Sequence, residues 1–255
     1  MSRRLTALVT LGMLLGGNAY AGDGPARVSG PTPFEAGCAG ETGPDTLYGN
    51  AEVQPHLAVN PRDPRHLLGT YQQDRWSGVA AQGVLTAASF DGGRTWRRST
   101  APVSECTGGT AGNGGDYKRA TDSWVSISPD GTAHLATMSM TGGILEPGSE
   151  TGIMVSRSAD GGVTWGSTRT VIREGPPGFD DLPAVTADPA DSRFVYLVWT
   201  RIRLLDETRF EGPAYLVRST DGGRTWEPPQ SIHHPGVNAQ TVANKIVVLA
   251  DGTLV

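Results

Sequence analysis

The sequence predicts an all-β chain folded as a β-propeller of about three and a third four-stranded blades, on three observations. Its 255 residues include 35 Gly and 18 Pro, with 37% hydrophobic residues. So many breakers argue against long helices and for short strands joined by turns. One octet recurs three times, as Ser89–Trp96, Ser158–Trp165 and Ser219–Trp226. Three short apolar runs precede each octet and one follows it, giving four strand-length segments per repeat. Four antiparallel strands repeated every sixty-odd residues make a propeller blade. One blade cannot bury both faces, so blades must stack about an axis.

Arg3 and Arg4 precede an apolar core, Leu5 to Leu15, too short to span a bilayer, and Ala19-Tyr20-Ala21 offers the small residues of a cleavage site. Residues 1–21 are predicted to be a signal peptide cut after Ala21, with a retained anchor as the alternative. The product is then secreted or periplasmic, and no membrane association is expected after cleavage. Residues 22–50 form an N-terminal extension. Loss of Arg3 and Arg4 takes the formal net charge from −5 to −7. An acidic chain without basic clusters excludes nucleic acid as the expected partner. Cys38 and Cys106 are the only cysteines. In an exported chain they read as one disulfide tying the extension to a long loop, or else as two free thiols. Neither their spacing nor the scattered His56, His66, His134, His233 and His234 fits a metal site, and no cofactor is expected.

The first blade spans about 51–103, with runs Pro55–Val59, Leu67–Tyr71, Val84–Phe90 and Trp96–Thr100. The second, about 121–173, has Trp124–Ile127, Ala133–Met138, Ile153–Ser156 and Trp165–Ile172. The third, about 182–232, has Ala184–Ala187, Phe194–Trp199, Ala214–Val217 and Trp226–Ile232. Each run is β-rich and bounded by Gly, Pro, Asn or Asp. A partial fourth blade, about 241–255, offers Lys245–Leu249, an Asp251-Gly252 turn and Thr253-Leu254-Val255. Three blades and a fraction cannot close a ring, and open faces associate. The expectation is a shortened reading frame or fragment, poorly soluble or oligomeric alone, with a second chain completing the propeller as the alternative.

Within each octet the Asp (Asp91, Asp160, Asp221) can accept backbone N–H groups of its turn. The Gly pairs ending in Gly93, Gly162 and Gly223 supply positive φ. Ser89, Ser158 and Ser219 can bond across the hairpin, and Trp96, Trp165 and Trp226 can pack between sheets. These are structural roles. A turn Asp repeated in every blade is not a catalytic acid, because one active site needs singular residues.

Ser-x-Asp-Gly-Gly-x-Thr-Trp resembles the Asp-box, or BNR, signature of bacterial sialidases and their relatives, over roughly residues 50–255. The resemblance implies a sialidase-type propeller, six-bladed when complete, and a glycan or glycoconjugate as partner. Its relatives also include endoglucanase-like hydrolases and non-catalytic receptor and assembly propellers, so fold does not fix activity. Two functions follow as expectations: an exo-sialidase-type glycosidase or glycan binder in the full-length form, or a non-catalytic scaffold for extracellular protein or polysaccharide. An endo-hydrolase with two carboxylates would need a singular acid pair, and Asp180-Asp181, being adjacent, project in different directions.

In a propeller, ligands meet the end of the axis where the inner strands begin. That rim is assigned to loops 72–83, 140–152 and 200–212 within blades and 102–123, 173–183 and 233–244 between them. Sialidases clamp a carboxylate with three Arg, protonate with an Asp and attack with a Tyr assisted by a Glu. The resemblance therefore points to Arg75, Arg119 and Arg201 as clamp members, to Asp74 or Asp122 as the acid, and to Trp76 as a surface for a sugar face. The chain departs from the pattern in lacking the Arg-Ile-Pro motif, with Gln54-Pro55-His56 in the comparable strand. The family's Tyr nucleophile and one Arg come from later blades.

Overall fold

A computed structural model describes residues 26–38 and 44–255; the predicted signal peptide lies outside the described residues. The chain is nearly all β. Strands β1 (Leu47–Val59), β2 (Leu67–Trp76), β3 (Ala81–Ser89) and β4 (Arg97–Thr100) form one antiparallel four-stranded unit. A second consists of β5 (Arg119–Ile127), β6 (Ala133–Thr141), β7 (Glu150–Ser158) and β8 (Arg169–Glu174). The third has β9 (Gly178–Ala187), β10 (Val195–Leu204), β12 (Ala214–Ser219) and β13 (Gln230–His233), and the two-residue β11 (Phe210–Glu211) pairs with the end of β10. A single residue pair, Ala81 with Ala120, joins the first two units edge to edge. The terminal residues form a tight hairpin in which Val247 and Val255 exchange both backbone hydrogen bonds.

The core lies between units rather than within them. Leu68, Val84 and Ala88 of the first unit bury against Val125, Ile127, Leu135 and Met154 of the second. Ala136, Met138 and Ile153 of the second bury against Val185, Leu197 and Val217 of the third. The middle unit thus packs on both neighbours, β6 and β7 each contributing to both layers, which is what sheets stacked about an axis require. The strands β1, β5 and β9 lie side by side along that axis. Side chains link them: Val125 N–H donates to His56 Nδ1 (3.3 Å), Ala187 N–H to Ser126 Oγ (3.0 Å), and Thr186 Oγ1 to the Ile246 carbonyl (3.1 Å).

The octets close the β3–β4, β7–β8 and β12–β13 hairpins. In the second, Asp160 accepts Thr164 N–H (2.9 Å), Thr164 Oγ1 (2.6 Å) and Ser158 Oγ (2.6 Å), and Ser158 Oγ accepts Gly162 N–H (2.8 Å). Gly161 and Gly162 stand at φ 76° and 96°, where a side chain would be strained. The carboxyls are held low. Asp91 falls to about 2 through the Thr95 N–H and then its hydroxyl. Asp160 and Asp221 also reach about 2 because turn hydrogen bonds outweigh their burial. Trp165 reaches into the first unit, donating to Thr86 Oγ1 at 2.8 Å. Trp96 instead donates to its own Gly93 carbonyl (2.9 Å).

Strands differ from the apolar runs in two ways. The inner strands start earlier, because polar residues such as Arg119 to Thr121 still pair with Met140 to Met138. The outer strands start later, at Arg169 and Gln230, because Gly166 and Pro228-Pro229 follow the octet and proline has no N–H for a ladder. Cys38 and Cys106 form a disulfide across a sequence separation of 68. No helix among the described residues is long and apolar enough to cross a membrane.

Candidate functional site

Each inner strand carries the same interruption. Register shifts fall between Val53 and His56 on β1, between Thr121 and Trp124 on β5, and opposite Val198–Thr200 on β9. At these bulges Gln54, Asp122 and Leu182 take φ of 51°, 49° and 52°, and Ala243 in the terminal segment takes 53°. Four non-glycine residues held at positive φ mark a repeated backbone device, since each is disfavoured on its own. Aligned on it, His56, Trp124, Ala184 and Lys245 occupy one repeat position around the axis.

These segments enclose a hollow of about 260 Å³, bounded by Gln54-Pro55, Asp122 to Trp124, Leu182-Pro183, Ala243 and Lys245. A larger hollow of about 430 Å³ lies beside Pro33, Arg98 and Thr100 on the outer strand β4, away from the axis. In the axial hollow the His56 ring stacks on Trp124 with centroids 3.5 Å apart and planes inclined by 25°. Lys245 Nζ lies 3.7 Å from the Trp124 ring centroid. Two groups this close to one ring must cover opposite faces, so the indole is held between an imidazole and an ammonium.

The electrostatics are uneven. His56 is driven down to about 4 by burial and then by Lys245, so it is neutral at pH 7, as its acceptance of Val125 N–H requires. Burial also lowers Lys245, against the pull of Asp122. Asp122 is raised by burial despite hydrogen bonds to Gln54 and Thr121. Asp181 is raised to about 6 by burial and then by the charge of Asp122. The charge of Asp122, on the wall of the hollow, therefore opposes the ionisation of Asp181 on the neighbouring inner strand. Such a pair can hold and release a proton near pH 6.

The other residues singled out from the sequence sit differently, and on strands rather than the expected loops. Asp74, on β2, is 2% exposed and accepts Thr32 Oγ1 (2.6 Å), Asn50 N–H (2.7 Å) and Gln73 Nε2 (2.9 Å). It anchors the N-terminal extension and does not reach the hollow. Arg75 donates to the Ala80 carbonyl and feels the charge of Asp122. Arg119, 5% exposed on β5, pairs with Asp45 (2.8 Å) and lies 4.8 Å from the Trp76 ring centroid. Trp76 is itself buried, so the guanidinium rather than a ligand meets its face. Arg201, on β10, is bound to Glu174 (2.9 Å) beside Arg203 and Tyr215. Arg75 and Arg119 come near each other, but Arg201 stands apart, and the three do not converge.

Adjacent Asp180 and Asp181 have separate environments. Asp180 is 0% exposed, accepts Trp199 Nε1 at 2.6 Å, and is raised to about 7 by burial against that bond and Arg201. Among the described residues no group of three or more His, Cys, Asp or Glu could hold a metal ion. Reading loops for singular charges missed His56, Trp124 and Lys245. The signal that finds them is the repeat register itself: Val53-Gln54-Pro55-His56, Thr121-Asp122-Ser123-Trp124, Asp181-Leu182-Pro183-Ala184 and Val242-Ala243-Asn244-Lys245 align.

Comparison with known proteins bears on the fold. Residues 217–228 match the BNR/Asp-box repeat family model. No curated protein sequence matches the chain. A Hadza microbial sialidase, Hz136, superposes with a TM-score of 0.51 at 20% identity, covering 74% of this chain and 39% of that one. The Fusarium graminearum α-L-arabinofuranosidase Arb93A gives 0.44 at 17%, covering 74% and 54%. The NanB sialidase of Streptococcus pneumoniae gives 0.39 at 11%, covering 76% and 53%. The chain thus spans about two fifths to just over half the length of these proteins. The matched repeat, its two further copies and the stacked four-stranded sheets show a chain that carries BNR/Asp-box repeats and shares the β-propeller fold of the Hz136 sialidase.

Proposed function

We propose that the protein is an exported, sialidase-like propeller that engages a glycan at the axial hollow of its inner strands. The observation that carries this reading is the convergence there of an indole, the Asp122 carboxyl of raised pKa and an ammonium around about 260 Å³, with Asp181 next to the wall residue Leu182 in sequence. A concave site with one aromatic ring and a few polar groups suits a sugar unit, whose C–H face packs on the ring while its hydroxyls bond to carboxylates. Export rests on the pattern of residues 1–21.

The proton inventory extends the reading toward chemistry. Asp181, half protonated near pH 6, can serve as a general acid toward a glycosidic oxygen, its proton retained by burial and then by the charge of Asp122. The first hypothesis is accordingly glycoside hydrolysis of the exo-sialidase type by the full-length protein. The second is glycan or protein binding without turnover. It is favoured by a specific observation: among the described residues no tyrosine borders the hollow, and Arg119, Arg201 and Arg75 are engaged by Asp45, Glu174 and the Ala80 carbonyl.

Two measurements on the protein decide between these. A glycan array, with Trp124→Ala as control, is expected to show binding that the substitution abolishes. Turnover of a fluorogenic sialoside with an optimum near pH 6 establishes hydrolysis. Binding without turnover supports the scaffold, and neither binding nor turnover removes the site from this account.

A further inference from the structure

Lys245 already shows what the hollow accommodates: a primary ammonium placed on the Trp124 face, 3.7 Å from the ring centroid, within the field of Asp122. The ammonium belongs to a residue exposed to solvent, on a segment held through Thr241 and Asn244 rather than through Lys245 itself. Its four-carbon stem is flexible, so the charge can leave without unfolding the segment. Vacating it would uncover one face of Trp124, with His56 still backing the other, and would leave Asp122 without that cation.

Among the described residues an acidic sugar has little to meet there. Arg119 is buried against Asp45, Arg201 is paired with Glu174, and Arg75 is turned to the Ala80 carbonyl. A carboxylate entering the hollow would instead face the Asp122 carboxyl, with Lys245 as the one cation among the described residues of its wall. A neutral sugar could stack on the indole but would leave Asp122 uncompensated. A sugar that carries a positive charge satisfies the indole and the carboxyl together.

We propose that the axial hollow selects a glycan bearing free amino groups, the sugar ammonium replacing that of Lys245 between Trp124 and Asp122. This rests on the glycan reading above and names the class of sugar. Lys245 then acts as an internal competitor, holding the site closed until an amino sugar displaces it.

The test is calorimetric titration of the 255-residue protein with a tetramer of glucosamine and with its fully N-acetylated counterpart. The two share rings and linkages and differ in charge. Sialyllactose and a lysine-containing peptide complete the set, with Trp124 indole resonances followed by NMR to locate binding. The glucosamine tetramer is expected to bind at least roughly tenfold more tightly than the acetylated one, and Lys245→Ala to tighten it roughly fivefold further by removing the competitor. Asp122→Asn is expected to erase the preference. Lys245→Ala keeps the test informative if Asp122→Asn fails to fold. Equal or tighter binding of the acetylated or sialylated sugar at Trp124 overturns this inference and leaves the glycan reading standing. Binding of the lysyl peptide without the amino sugar overturns it in favour of a protein partner, and binding of nothing overturns both readings.

Discussion

Replacing Asp180 by Asn should remove one large contribution to the loss of stability between pH 4 and pH 8. Asp180 is fully buried, one carboxyl oxygen accepts Trp199 Nε1 at 2.6 Å, and the other has no hydrogen-bond partner. Burial raises its pKa from 3.8 to about 7. The folded protein therefore holds a proton that the unfolded chain has lost throughout that interval. Where the native state binds more protons, stability falls as pH rises. The loss begins near pH 4 and is complete a little above pH 7. At about 1.4 kcal/mol per pKa unit it amounts to about 4 kcal/mol. Asn keeps the acceptor for Trp199 and cannot ionise, so Asp180→Asn should match the wild type within about 1 kcal/mol at pH 4 and exceed it by about 4 kcal/mol at pH 8. For a chain of this size that corresponds to a gain of roughly 8–16 °C in Tm at pH 8. Asp181 and Asp122 titrate in both proteins and cancel in the difference. The assay is thermal and urea unfolding of both proteins from pH 4 to pH 8.5. Parallel curves, or a variant less stable than wild type at pH 8, would refute the reasoning.

Three further outcomes are expected. Asp160→Ala removes the acceptor of Thr164 N–H, Thr164 Oγ1 and Ser158 Oγ and should cost roughly 1–3 kcal/mol. Scanning fluorimetry should show that cost as a lower Tm with sugar binding unchanged, and loss of binding at an unchanged Tm would return the octet Asp to the functional residues. Replacing both Cys38 and Cys106 by Ser opens a link across 68 residues and should cost up to about 4 kcal/mol by loop entropy; a Tm indifferent to reductant would contradict this. N-terminal sequencing of exported protein should begin at Gly22, whereas an intact Met1 on exported material would remove the signal-peptide assignment.

The architecture was legible because its information is repeated. Three octets with Gly pairs and a Trp fix three hairpins, and four apolar runs around each fix the strands. The site was legible only in part, for a physical reason. Arg119 to Asp122 and Gly178 to Asp181 carry no apolar alternation, so they look like loop, although ladder bonds to β6 and β10 make them strand. Charges that appeared free are spent on structure: Asp74 on the N-terminal extension, Arg119 on Asp45, Arg201 on Glu174. Such pairings join residues tens of positions apart, and no local pattern announces them. Asp122, singled out as a candidate acid, borders the hollow, but its neighbours Trp124 and Lys245 looked like ordinary members of apolar runs. Only superimposing the repeats turns them toward one axis.

The account stands on inner strands of successive sheets meeting at that axis, and NMR of Trp124 tests this most directly. Strong nuclear Overhauser effects are expected between the Trp124 indole and the His56 ring, 3.5 Å away by centroids. The Lys245 ε-methylene protons should be shifted upfield by the ring current of the same indole, which lies 3.7 Å from Nζ. An indole showing neither contact, with Lys245 at random-coil shifts, would mean that the first, second and terminal segments do not converge, and the site described here would not exist.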